Sequence, residues 1–184
     1  MSRYKVLSLV AFCVALLAGG GLVALAGKGG PALTAAPVLP PKVDFVAELV
    51  ADTLGVRPVE TEASGRVEFT LLEGGDALAY RITVSALEDA FMSHLHLGGP
   101  EDRYGSLVVW LWPAEGKRRE VREGRFDGVL HQGEIRAENL TGALAKEELA
   151  ELLAAIRAGR IFADIHTRRN VPGELRGQVL VPSP

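Results

Sequence analysis

The sequence predicts an all-β fold, an antiparallel Greek-key β-sandwich or barrel with one connecting helix, preceded by an N-terminal signal or anchor helix. Three observations predict it. From Val43 onward, short segments alternate apolar and polar residues and are separated by glycine-rich turns. A helical stripe occurs once in that region, between Lys146 and Arg157. Ahead of both lies a basic start, Arg3 and Lys5, followed by an apolar run from Val6 to Ala26.

That N-terminal pattern is the pattern of an export signal, with Ala24-Leu25-Ala26 as a small-residue cleavage site. The run is also long enough to span a bilayer, so residues 1–26 are expected to be either a cleaved signal peptide or a membrane anchor. Both outcomes place the rest of the chain outside the cytoplasm: secreted, periplasmic or membrane-anchored. Residues 27–42, rich in Gly, Ala and Pro, bury little and suit a linker. The domain is expected at 43–182.

Within it, Val43–Leu49 reads as a first strand. Val67, Phe69 and Leu71 mark the buried face of a second, and Glu73-Gly74-Gly75-Asp76 signals the hairpin turn that follows. Leu78, Tyr80, Ile82 and Val84 give the return strand its apolar face, and a separate strand carrying His94 is expected after Leu87–Ala90. Leu107–Trp112 is apolar on both faces, which predicts a central strand stopped by Pro113. Two shorter strands follow, at 124–130 and 133–137. The helix stripe is Leu149, Leu152, Leu153 and Ile156, with Gly159 as the stop. A strand containing His166 and a last one over 173–180 complete the count.

The bulk properties exclude several classes. The 184 residues are 48% hydrophobic and 23% charged, a globular balance. Twenty basic against 23 acidic side chains give a formal charge of −3 with no basic cluster, so no nucleic-acid partner is expected. The single cysteine, Cys13, lies in the N-terminal apolar run. The domain therefore has neither a disulfide nor a thiolate ligand. There is no phosphate-cradling Gly-x-x-x-x-Gly-Lys loop and no Gly-x-Ser-x-Gly elbow. Catalysis would have to run through a bound metal, and a non-catalytic role is favoured.

The segment richest in chemistry is Met92-Ser93-His94-Leu95-His96-Leu97-Gly98. Side chains alternate along a strand, so His94 and His96 share one face. Asp164 and His166 share a face of their strand for the same reason. Three imidazoles suit copper or zinc, and Asp164 could supply a fourth ligand or orient a ring. The competing reading is a buried polar cluster satisfied by hydrogen bonds. Glu174 and Arg176 lie on one face of the last strand; such a polar pair could bind an anionic ligand, but it is expected to bridge to neighbouring strands. Trp110 and Trp112 are expected as one core and one edge residue, and His131 as a surface residue. Lys117-Arg118-Arg119 reads as a solvated loop.

His94-Leu95-His96-Leu97-Gly98, the apolar strand at 107–111, the helix ending at Gly159 and the closing Pro172-Gly173-Glu174-Leu175-Arg176-Gly177-Gln178 together resemble the CHRD domain. That module is repeated in chordin and occurs singly in many bacterial exported proteins. The resemblance runs from about Val43 to Val181. It implies an extracytoplasmic β-rich module, here a non-catalytic binding or structural element of the cell envelope. Its partners would be envelope or extracellular proteins, and the membrane itself if the N-terminal segment is retained. The alternative is a metalloprotein holding copper or zinc on the histidine cluster.

Overall fold

The computed structural model describes residues 42–55, 57–113 and 121–183. The N-terminal apolar run, the linker up to Pro41 and the Lys117–Arg119 loop lie outside the described residues.

Seven strands and one α-helix make up the domain. They are β1 (Phe45–Ala51), β2 (Ser64–Leu71), β3 (Leu78–Leu97), β4 (Ser106–Trp112), β5 (Arg122–Ile135), α1 (Leu149–Arg157), β6 (Ile161–Thr167) and β7 (Leu175–Gln178). Every strand pairing is antiparallel. The order runs β2-β1-β7-β6-β3, and β3 also pairs with β2, so the sheet closes on itself. Of the two forms expected from the sequence, the chain adopts the barrel-like one.

β3 makes the closure possible. The residues expected to form two strands form one strand of 20 residues. Its first part pairs with β2 and β5, and its last part with β6 and β4. The stretch 87–90, which reads as a connection, is absorbed as irregularities within the ladder. Ala86 and Asp89 adopt left-handed backbone, with φ of 56° and 49°. Their neighbourhood is tied down by side chains: Asp127 accepts from the Ala86 N–H, and Asp89 from the Gly124 N–H. Bulges of this kind bend a strand without ending it. The two short strands expected after Gly124 likewise form one, β5.

The expected central strand is instead an edge. β4 pairs along its length with β3 alone. Its outer side meets an isolated bridge between Val109 and Leu140, and Thr141 donates its N–H to Val108. A short 3-10 turn at Gly142–Leu144 follows directly and buries Leu144. An edge covered in this way can be apolar on both faces, which is why β4 reads as central.

The interior is built as the alternation predicts. Val67, Phe69, Leu78, Tyr80, Ile82 and Val84 are buried together with Leu95, Ala163, Ile165 and Leu175. The helix adds Leu149, Leu152, Leu153 and Ile156 to the same core and stops at Gly159, whose φ is +65°. Leu95, Ala163, Ile165 and Leu175 fill the inside, so their alternating neighbours His94, His96, Asp164, His166 and Arg176 belong to the outer face.

β7 lies close against β1, with Val50 opposite Arg176 and Ala51 opposite Leu175. A methyl group on Gly177 would collide with the backbone carbonyl of Glu48. Gly177→Ala must therefore push the two strands apart. We expect a loss of about 1–3 kcal/mol, the usual scale for overpacking, measured by urea unfolding. An unchanged midpoint would contradict this packing.

Candidate functional site

The β3–β6 ladder brings the sequence-predicted residues together. Met92 pairs with His166, His94 with Asp164 and His96 with Phe162. Directly opposed residues share a face, so three ring systems and one carboxylate meet on the outside of the barrel. One ligand atom from each of His94, His96, Asp164 and His166 lies within 4.8 Å of the others.

Although on the outer face, the cluster is covered. His94 is 3% exposed, Asp164 7% and His166 8%. His96 is the most open of the four, with 15% of its side chain accessible. Trp110, opposite His94 on β4, sets its ring edge-on to that imidazole at 4.4 Å. Phe91 lies beside His166, and Phe162 stacks on His96 at 4.9 Å with the planes 6° apart.

Asp164 is the hub. One oxygen accepts the backbone N–H of His94 at 3.1 Å and lies 3.2 Å from Nδ1 of the same residue. The other lies 2.9 Å from Nε2 of His166 and 3.0 Å from Nε2 of His96. Burial alone would raise this carboxyl group, but the imidazoles of His166, His94 and His96 outweigh it and hold it well below the usual carboxylate range.

The remaining ring nitrogens fix the tautomers. Nδ1 of His96 faces the Gly105 carbonyl at 3.1 Å, and Nδ1 of His166 faces the Val171 carbonyl at 2.7 Å. A carbonyl only accepts, so both Nδ1 atoms carry the proton. Both Nε2 atoms are then turned toward Asp164. His166 can hold a second proton there and donate it to Asp164. Burial opposes that charge, but Asp164 and the Val171 carbonyl outweigh it and raise the His166 pKa.

The other two rings are not satisfied in this way. His94 Nδ1, His94 Nε2 and His96 Nε2 are buried without a hydrogen-bond partner. Two of these atoms are within 3.2 Å of a carboxylate oxygen, yet the contacts lack hydrogen-bond geometry. Proximity alone does not satisfy them. Burial pushes the His94 pKa down, against the pull of Asp164, so that ring is neutral and offers a free lone pair. Buried polar atoms without partners are costly, and lone pairs converging on one point are a cation's environment.

A metal would use this donor set well. Three imidazoles and one carboxylate fit zinc or copper. Metal–ligand distances near 2.0–2.2 Å make the edges of a tetrahedral site about 3.4 Å. The present cluster, whose ligand atoms lie within 4.8 Å of one another, would need to contract by up to about 1.4 Å to reach that.

Other expectations resolve differently. Glu174 accepts from Thr61 at 2.7 Å, from Thr167 at 2.5 Å and from Asn170 at 2.9 Å, tying the end of β6 to the segment ahead of β2. Arg176 donates to the carbonyls of Gly99, Asp102 and Arg103. Glu174 thus bridges to the neighbouring strand β6, as expected, whereas Arg176 holds the loop between β3 and β4 instead, and both are buried. Trp112 is in the core, while Trp110 is half-buried against His94. His131 is no free surface residue. It is half-buried, its ring stacks on Tyr80 and its Nδ1 is 3.1 Å from the Tyr80 hydroxyl.

The metal-free protein should lose stability in acid. Asp164 has a folded-state pKa below its unfolded value near 3.9, so its contribution is present above that value and disappears as the pH falls below about 4. The depressed His94 acts in the same direction below about 6.5, whereas the raised His166 adds stability as the pH falls toward about 6.5 and contributes a constant amount below it. Asp164→Asn should flatten the acid limb of a pH–stability curve measured by chemical unfolding. An acid limb unchanged by that substitution would contradict the assignment.

No curated protein and no solved structure matches the chain. The family model of the CHRD domain matches residues 45–179, which takes in all seven strands, the helix and the four clustered side chains. By that match, the chain belongs to the CHRD domain family.

Proposed function

We propose that this CHRD protein is a non-catalytic binding module of the cell envelope that takes up one transition-metal ion, copper or zinc, on His94, His96, His166 and Asp164. The observation that carries the reading is the set of unpartnered buried nitrogens, His94 Nδ1, His94 Nε2 and His96 Nε2, beside a buried carboxylate. A hydrogen-bonded polar cluster would leave no such atoms. A divalent ion among them would accept one lone pair from each ring and offset the Asp164 charge.

The second coordination sphere supports the same reading. Metal-ligating histidines usually donate their other ring N–H to a carbonyl or carboxylate, and here Gly105 and Val171 supply those acceptors. Four protein ligands make a closed site, of the kind that holds an ion rather than activates water on it. Binding, buffering or stabilisation follows from a closed site more naturally than turnover does. The export reading rests on the basic-then-apolar N-terminus, and an extracytoplasmic location would expose the site to copper and zinc without competition from cytoplasmic thiols.

An ion bound only by the folded state favours folding by mass action. With free metal about a hundredfold above Kd the gain is about 2.7 kcal/mol. For a chain of this size that corresponds to a midpoint rise of roughly 5–10 °C. Thermal unfolding of the metal-stripped full chain, with and without Cu²⁺ or Zn²⁺, should give that rise. The His94→Ala/His96→Ala/His166→Ala triple variant should not respond. A wild-type midpoint indifferent to both metals would return the cluster to architecture and favour a protein partner as the bound species.

A further inference from the structure

We infer that Arg176 is a positioning residue for the proposed metal site and acts on one ligand, His96. The inference rests on the metal-binding reading above and deepens it by naming what controls the most exposed of the four ligands. Two separate routes lead from the guanidinium to that ring.

The first is a stack. Arg176 Cζ lies 3.4 Å from the centroid of the Phe162 ring, and the Phe162 ring lies parallel to that of His96. β6 runs between β3 and β7, so Phe162 sits between the imidazole on one side and the guanidinium on the other. The second is a loop. Arg176 donates from Nη1 to the Arg103 carbonyl at 3.2 Å and from Nη2 to the carbonyls of Asp102 at 2.6 Å and Gly99 at 3.4 Å. That loop ends at Gly105, whose carbonyl takes the Nδ1–H of His96 and thereby aims Nε2 at the site.

Loop, stack and ligand meet at Gly105. A Cβ there would stand 2.7 Å from the Leu97 carbonyl, 2.8 Å from the Phe162 ring and 3.0 Å from the His96 Cβ. The ring has little freedom as long as the loop stays down. Arg176 is itself 9% exposed, and a buried guanidinium whose hydrogen bonds go to carbonyls holds backbone in place. Lysine could keep the charge but could supply neither the planar fork nor the stacking face. Outer partners of this type are typically worth 10–100-fold in metal affinity.

The test uses Cu²⁺ as the probe, on the full chain, with affinity read by titration and ligand identity by electron paramagnetic resonance of the imidazole nitrogens. Arg176→Lys should weaken Cu²⁺ binding about 10–100-fold and remove one imidazole from the signature, reproducing the spectrum of His96→Ala. Gly105→Ala should do the same from the loop side, which keeps the inference testable if the Arg176 variant does not fold. A variant that is less stable without metal but binds Cu²⁺ with wild-type affinity and spectrum would overturn the positioning role and leave Arg176 purely structural. Wild-type protein that binds no Cu²⁺ would overturn both the inference and the metal reading beneath it.

Discussion

The Asp164 carboxylate is the constraint on which the site depends. A buried anion is costly unless the surrounding groups meet it with positive charge or donors. Here it receives the backbone N–H of His94 and the Nε2–H of His166, with the His94 and His96 rings close beside it. All of this follows from the register of β3 against β6. A slip of β3 by one residue would send His94 and His96 inward, away from Asp164, and bring Leu95 outward, away from Ala163 and Ile165. Because those three residues are fully buried, the hydrophobic core itself fixes the register and so assembles the polar cluster.

The barrel closure and the site share one element. β3 reaches β2 with its first half and β6 with its last, so the strand that closes the barrel also carries His94 and His96. The loop after it returns through Gly105 into β4, and the segment after β6 returns through Val171 into β7. Each of these connections contributes a carbonyl to one imidazole. The four side chains are thus held on strands while the tautomers of His96 and His166 are set by adjacent loops, an arrangement that would suit prolonged retention of an ion.

Much of this was legible in the sequence, for identifiable reasons. Alternation alone puts His94 with His96 and Asp164 with His166, and it marks the inner faces of β2 and β3 correctly. The helix stripe and its glycine stop read directly. Adjacency of β3 and β6 did not, because pairing between segments some 70 residues apart leaves no local pattern. The continuity of β3 was hidden by Leu87–Ala90, which breaks the alternation and reads as a connection; the strand absorbs it with left-handed backbone at Ala86 and Asp89. Apolar residues on both faces of β4 gave a central reading, since a covered edge and a buried strand carry the same composition. The reach of Arg176 to the 98–105 loop was also invisible, because it depends on how that loop folds back.

X-ray absorption at the metal edge of the Zn²⁺-loaded full chain tests the central claim most directly. The account predicts one ion per chain whose shell is three imidazole nitrogens and one carboxylate oxygen at about 2.0–2.2 Å. A shell containing sulfur, or one of oxygen alone without imidazole scattering, would place the metal elsewhere and contradict the account.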